Sequence, residues 1–483
     1  MAPPVDAPKK SEMSPSPFAR HRRAYAFVRR APAPVKTFLI ASGALGALLV
    51  FVTPPLQVAD EIQHFMRAYG VSELKLLPSN ADGVVGNVLP HSLTKIVVMT
   101  TRGIPFHPER KVDLDVLSQA LRVELNPAER GMTAFQGSSL YSPLPYVPQA
   151  TGIAIGRLLG RGPLPLIYFG RMVNLIAATL LTAVAIWLLP GGRWAACCLS
   201  LLPMAAFQRS SLSGDALTNS VGLLLVSLAL FIRKKDVEPT RAVRLFFTFA
   251  AAALALCKPG LWIGAAIALL VPKRIFRNTA AYWRFVLGTA LIVLVSAAVW
   301  AWLTRSAQAF PLQGASPPRQ FAYVLSHPVA FAQVVAKTIG HEHRPWIEQF
   351  LGVLGWLDTH LNRAGLMGLG LLLAWISVAD GPVWKPFDWR ARVLCAICFA
   401  LGLITVVTLL YLCWTPVGAD RVVGVQGRYF LSFAALLLAS MQGLAVGRSM
   451  ARPRWTATLS VLFVAASGAL SLSALVTRYY VSV

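Results

Sequence analysis

Asp60-Glu61-Ile62-Gln63-His64 sets two adjacent carboxylates and an imidazole just beyond an apolar run, Thr37 to Val52, and its breaker Thr53-Pro54-Pro55. Ionisable groups at the level where a membrane helix ends are costly and are usually kept for function. If the pentad is helical, Asp60, His64 and Arg67 share one face, with Glu61 beside it. Such a set can take a proton from an acceptor hydroxyl and pair with a phosphate. Asp60, Glu61 and His64 are therefore the candidate catalytic groups, and Arg67 a candidate substrate contact. Two carboxylates here could also hold a divalent cation, Mg or Mn, through oxygen ligands. A plain helix cap would need only one acid.

Four further stretches carry polar chemistry. Tyr141-Ser142-Pro143-Leu144-Pro145-Tyr146 reads as a rigid turn at an interface, where aromatic rings settle, with Tyr141 as a substrate contact. In Arg209 to Asn219, Asp215 reads as a cap for the following helix and Arg209 as a phosphate contact. Trp356 and Asp358 pair an aromatic face with a carboxylate, as carbohydrate sites do. In Gly424-Val425-Gln426-Gly427-Arg428-Tyr429 the glycines permit close backbone approach. Gln426, Arg428 and Tyr429 then stand at the membrane surface, with Arg428 placed for a phosphate; a snorkelling arginine is the plainer account. His341 and His343 lack HExxH spacing and read as a solvated face. The six cysteines, Cys395 and Cys398 included, lack a second zinc pair and read as small buried residues.

The elements that must hold these groups are membrane helices. The chain has 483 residues, 56% of them hydrophobic and only 13% charged, where a soluble domain carries roughly 25% charged. Apolar runs of about 17–25 residues recur, each long enough to cross a bilayer. The net charge of +25 is spread in short clusters between those runs. That is the pattern of basic residues held on the cytoplasmic side, and it argues against nucleic-acid binding. Residues 1–35 read as a disordered basic cytoplasmic tail and residues 36–483 as one polytopic domain. The clusters at Arg233-Lys234-Lys235 through Arg244, at Lys273-Arg274-Arg277, at Lys385 to Arg392 and at Arg448 to Arg454 must be separated by even numbers of crossings. That parity gives about 11 spans, N-terminus inside. It leaves Pro143 to Leu159 as a juxtamembrane or re-entrant helix. Residues 54–142 form a long first extracytoplasmic loop, which holds nine of the 20 acids; residues 304–362 form a second. The expected fold is all-α, with juxtamembrane helices in the first loop. No internal repeat of the transporter kind is present.

Several of these motifs together resemble a family of bacterial membrane proteins known as domain of unknown function 2142. The matching residues are Pro54-Pro55 with Asp60-Glu61 and His64 to Tyr69, Tyr141 to Leu144, Gly170-Arg171, Ser213 to Asn219, Lys258-Pro259, Leu354 to Thr359 and Gly424 to Phe430. They run in order from about Lys36 to Ser440. One departure is Ile62-Gln63, where the family usually has a proline. The arrangement is similar to that of C-type membrane glycosyltransferases. That likeness implies a sugar taken from a polyprenyl-phosphate donor and passed to a cell-envelope glycan or lipid on the outer face of the bacterial inner membrane. It also implies that Asp60 or Glu61 is the catalytic carboxylate and that Arg428 with Arg209 holds the phosphate. The alternative is a transporter or flippase of envelope lipid or glycan precursors. That reading expects charge near the middle of several spans, whereas the span interiors here are nearly free of charge and the ionisable residues gather on the outer face.

Overall fold

The computed structural model describes residues 31–307, 314–380, 388–442 and 453–482. The expected basic tail up to residue 30 lies outside them, as do parts of the clusters at Lys385 to Arg392 and Arg448 to Arg454. Helix α1 (Ala33–Val52) starts inside the expected tail, with a proline in its first turn, where the missing N–H costs nothing. It stops at Thr53, whose extended backbone is what a following proline demands.

The first loop region begins with α2 (Glu61–Ser72). It then adds what the sequence reading did not foresee, a three-stranded antiparallel sheet in the order β1 (Ser79–Ala81), β2 (Val84–Pro90), β3 (Arg130–Ala134). Asp82 and Gly83 both have positive φ and join β1 to β2 in a two-residue turn, the geometry that suits hairpin twist. Helices α3 (His91–Thr101) and α4 (Leu114–Leu121) lie between β2 and β3, and α5 (Gln136–Ser139) follows. Helix α6 (Val147–Leu158) has 12 residues, about 18 Å of helix, too short to cross a bilayer of roughly 30 Å. It packs on α2 and on α7 (Pro163–Leu188).

Beyond α7 come α8 (Arg193–Ser200), α9 (Pro203–Arg209), α10 (Asp215–Lys235), α11 (Arg241–Cys257), α12 (Ile263–Ile267) and α13 (Thr279–Leu303). The second loop region holds α14 (Pro317–Ser326), α15 (Pro328–Gly352) and a two-stranded hairpin, β4 (Val353–Leu354) with β5 (Thr359–His360). The chain closes with α16 (Arg363–Ala379), α17 (Trp389–Cys413), a 3₁₀ segment at Gly427–Phe433, α18 (Ala434–Met441) and α19 (Pro453–Tyr480).

Six helices among the described residues (α1, α7, α10, α13, α17 and α19) are long and apolar enough to cross a membrane. The other expected crossings are shorter or broken. Pro203 divides α8 from α9, α12 gives way to a 3₁₀ turn, and α16 and Gly427–Met441 are short apolar segments. Helix α10 is the central one: 83% of its apolar window is buried, against 17% for α13. Gly222 lets α10 lie backbone to backbone on the 3₁₀ segment, since a Cβ there would strike the Ser432 carbonyl. Gly427 does the same against Trp346 of α15. Those two approaches fix where residue 428 must point.

Candidate active site

Asp60 sits at the N-cap position of α2 with φ 63°, in the left-handed region. A non-glycine residue there pays a strain cost, and such strain gathers at functional sites. Its carboxylate caps nothing. It turns instead to Arg428, Oδ2 to Nη2 2.5 Å. The segment before it is braced by the β4–β5 hairpin: Ala59 N–H donates to the Gly355 carbonyl (3.0 Å) and Trp356 Nε1 to the Leu56 carbonyl (3.1 Å).

Arg428 is nearly enclosed. Its Nε donates to Gln426 Oε1 (2.6 Å), and its Nη1 stands 3.8 Å from Asp215 Oδ2. Helix α15 holds the approach to it, because Gln349 Oε1 accepts from Gly427 N–H (2.8 Å) and Trp346 Nε1 donates to the Val425 carbonyl (3.1 Å). Asp215 opens α10, yet it caps no helix end. It accepts from Lys258 Nζ (2.6 Å) and Gln208 Nε2 (2.9 Å). Lys258 follows the last residue of α11 and rests 3.8 Å over the Tyr429 ring, a cation–π distance. Carboxylates and cations thus alternate, Asp60–Arg428–Asp215–Lys258. Within that chain Asp60 is 45% exposed, whereas Arg428 is 3% and Asp215 9% exposed.

His64 closes one side. It shares a 2.8 Å hydrogen bond between Nδ1 and the Tyr146 hydroxyl and lies parallel to the Tyr141 ring at 6.2 Å. Burial pushes the His64 imidazolium down, to about 4, although Asp60 and Asp215 pull the other way. It is therefore a neutral imidazole at pH 7. For Asp60, burial raises the carboxyl, but Arg428, by its charge and its hydrogen bond, pulls the other way, and the carboxyl is held below its ordinary value. The ionised form is the resident one.

The His64 shift has a measurable consequence. Above pH 6.5 the imidazole is neutral in folded and unfolded chain alike. As pH falls from 6.5 toward about 4 the unfolded chain takes up a proton that the folded one refuses, so stability is lost through that window, by about 3 kcal/mol at most. His64→Gln should therefore lose less of its unfolding midpoint between pH 7 and pH 5 than the native chain. Equal losses in the two would contradict a buried neutral His64.

A family model described as a predicted membrane protein, DUF2142, matches residues 44–437. The chain belongs to this family. No curated protein and no solved structure matches it.

The remaining residues singled out in this DUF2142 sequence fall in several places. Tyr141, Gln426 and Tyr429 line the cluster with Asp60, His64 and Arg428. Glu61, one residue from Asp60, is fully buried and faces away, paired with Arg171 (Nη2 to Oε2 2.6 Å, Nε to Oε1 2.8 Å). Arg67 spends its Nη donors on the carbonyls of Lys75, Leu76 and Tyr141, so it fixes the Tyr141 turn and meets no carboxylate among the described residues. Arg209 is outside the cluster, bonded to the Ser200 carbonyl (2.8 Å) and lying over the Phe38 ring. Asp358 accepts from Phe106 N–H (2.8 Å) and Arg478 (3.3 Å); it locks the hairpin that carries Trp356. A divalent cation does not fit Asp60 with Glu61, because each carboxylate closes on a different arginine. Among the described residues no group of three His, Cys, Asp or Glu could hold a metal ion.

Three residues of the cluster were not foreseen as site residues. Asp215 reads as a cap from its place at a helix start, but its bond to Lys258 overrides that. Lys258 stands in the sequence only as part of the Lys258-Pro259 motif of the family resemblance, which gives it no role. Tyr146 read only as an interface aromatic.

Proposed function

We propose that this DUF2142 protein transfers a sugar from a polyprenyl-phosphate carrier to a cell-envelope glycan or lipid on the outer face of the bacterial inner membrane. The observation that carries this reading is a half-exposed carboxylate, Asp60, paired with the enclosed Arg428, which stands beside Asp215 and its partner Lys258. The ends of α10 and α11 and the 3₁₀ segment meet there. Reading the basic clusters as cytoplasmic supports an outer-face location, since Asp215 begins α10 and Arg233-Lys234-Lys235 ends it.

The chemistry follows from the arrangement. A lipid phosphate that enters must compete with Asp60 for Arg428. The displaced carboxylate loses the cation that held its proton affinity down, so it becomes a stronger base next to the incoming acceptor. It takes the acceptor hydroxyl proton while the acceptor oxygen bonds to the sugar C1 and the C1–O bond to phosphate breaks. Arg428 and Lys258 receive the negative charge of the departing lipid phosphate. His64, neutral and fixed by Tyr146, orients hydroxyls without drawing off phosphate charge.

The test is lipid mass spectrometry on the detergent-purified protein. Native protein is expected to retain a polyprenyl phosphate or its sugar ester, and Arg428→Ala to lose about tenfold or more of it, since charge-assisted phosphate contacts are worth roughly 1.5–3 kcal/mol. A complete envelope lipid retained in its place, with no polyprenyl carrier, would overturn the reading in favour of a transporter.

A further inference from the structure

Helices α11 and α13 pack side by side and leave a furrow of about 860 Å³ between them. Its mouth is at the start of both helices. The cluster around Asp60 lies at their far ends: α11 has 17 residues, about 25 Å of helix, and is followed by Lys258, while Trp300 near the end of α13 donates to the Leu140 carbonyl. The furrow is therefore a separate place.

Four arginines border the mouth: Arg241 and Arg244 on α11, Arg277 before α13, and Arg284 on α13. One acid, Glu238, is among them, and it pairs with Arg244 (3.0 Å). The guanidinium groups of Arg241, Arg277 and Arg284 have no partner among the described residues. Arg241 and Arg244 in the first turn of α11, and Arg277 just before the N-cap of α13, also oppose the helix dipoles, so they are poorly explained by helix stability. Below the mouth the lining turns apolar, with Leu245, Phe285 and Ile292, over a floor where Thr248 and Thr289 bond to each other (2.8 Å). Gly288 faces open space in the furrow: a Cβ there meets nothing within 4 Å.

Basic residues gathered at the cytoplasmic ends of helices are ordinary. Here, however, unpaired guanidinium groups from three segments converge on one concavity that continues as an apolar channel of helix faces. We infer that this furrow binds an anionic phospholipid, its phosphodiester held by Arg241, Arg277 and Arg284 and an acyl chain laid along Gly288. A basic pocket between membrane helices matches such a headgroup in charge and its chain in polarity. The inference is independent of the transferase reading, since its readout is binding alone.

The probe is phosphatidylglycerol, added to the full chain in detergent and followed by native mass spectrometry, with phosphatidylcholine as the zwitterionic comparison. Native protein is expected to retain phosphatidylglycerol preferentially. Arg241→Gln/Arg277→Gln/Arg284→Gln should retain about tenfold less. A charge-matched set away from the furrow, Lys234→Gln/Lys273→Gln/Arg390→Gln, should retain as much as native. Gly288→Leu, which fills the channel without changing charge, should lose retention severalfold and keeps the test decisive if the triple variant fails to fold. Equal retention of both lipids, equal loss in the charge-matched set, or displacement of the lipid by inorganic phosphate would each overturn the proposal.

Discussion

Asp60→Asn is expected to lower sugar transfer by about 10³-fold, within the range a positioned general base contributes, while leaving donor retention intact or improved. The direction of the second effect comes from the geometry. Asp60 now occupies Arg428, so the carboxylate and the lipid phosphate compete for one guanidinium. Asparagine removes the competing charge but keeps the shape. A plain loss of fold would lower retention and turnover together, whereas this variant should separate them. Asp60→Glu should recover part of the turnover, since it restores a carboxylate on a longer arm. The measurement is transfer by purified protein in liposomes, with lipid retention scored on the same preparations. Full turnover in Asp60→Asn would remove the carboxylate from the mechanism.

Much of this cluster was readable from residue type alone. Asp60, His64 and Arg428 are polar groups beside apolar runs, and Gly427 announced a backbone contact that the Trp346 carbonyl supplies. What the sequence could not resolve is which neighbour each group meets. Asp60 and Glu61 are equivalent on paper. The left-handed turn at Asp60 sends one toward Arg428 and the other toward Arg171, and no local signal marks that turn. Asp215 lies 43 residues from Lys258, so a helix-start acid could only be read by its commonest role. The six long helices were legible because twenty apolar residues have few other uses. The broken crossings were harder, since a proline at position 203 shortens the helices that parity demands. The Asp82-Gly83 turn was a fair hairpin signal inside a loop expected to hold helices only.

Glu61 gives the sharpest contrast with its neighbour. Its carboxylate is fully buried, bidentate on Arg171, and accepts a further hydrogen bond from Leu212 N–H (3.0 Å). Arg171 in turn donates to the carbonyls of Val50, Thr53 and Pro54. One ion pair therefore ties the end of α1, the start of α2, α7 and the loop before α10. Removing one partner of a buried pair leaves an uncompensated charge and costs about 3–5 kcal/mol. Glu61→Gln should accordingly accumulate poorly and unfold early in detergent, as should Arg171→Met. Replacing both, Glu61→Met with Arg171→Met, should recover part of the stability, because an apolar pair of similar volume leaves no buried charge behind. The decisive comparison is turnover per folded molecule, with folded protein counted by size-exclusion chromatography. For Glu61→Gln it should stay near native, while for Asp60→Asn it should collapse. A Glu61→Gln protein that is fully folded and inert would move the catalytic carboxylate from Asp60 to Glu61, and the alternation Asp60–Arg428–Asp215–Lys258 would then be scaffolding.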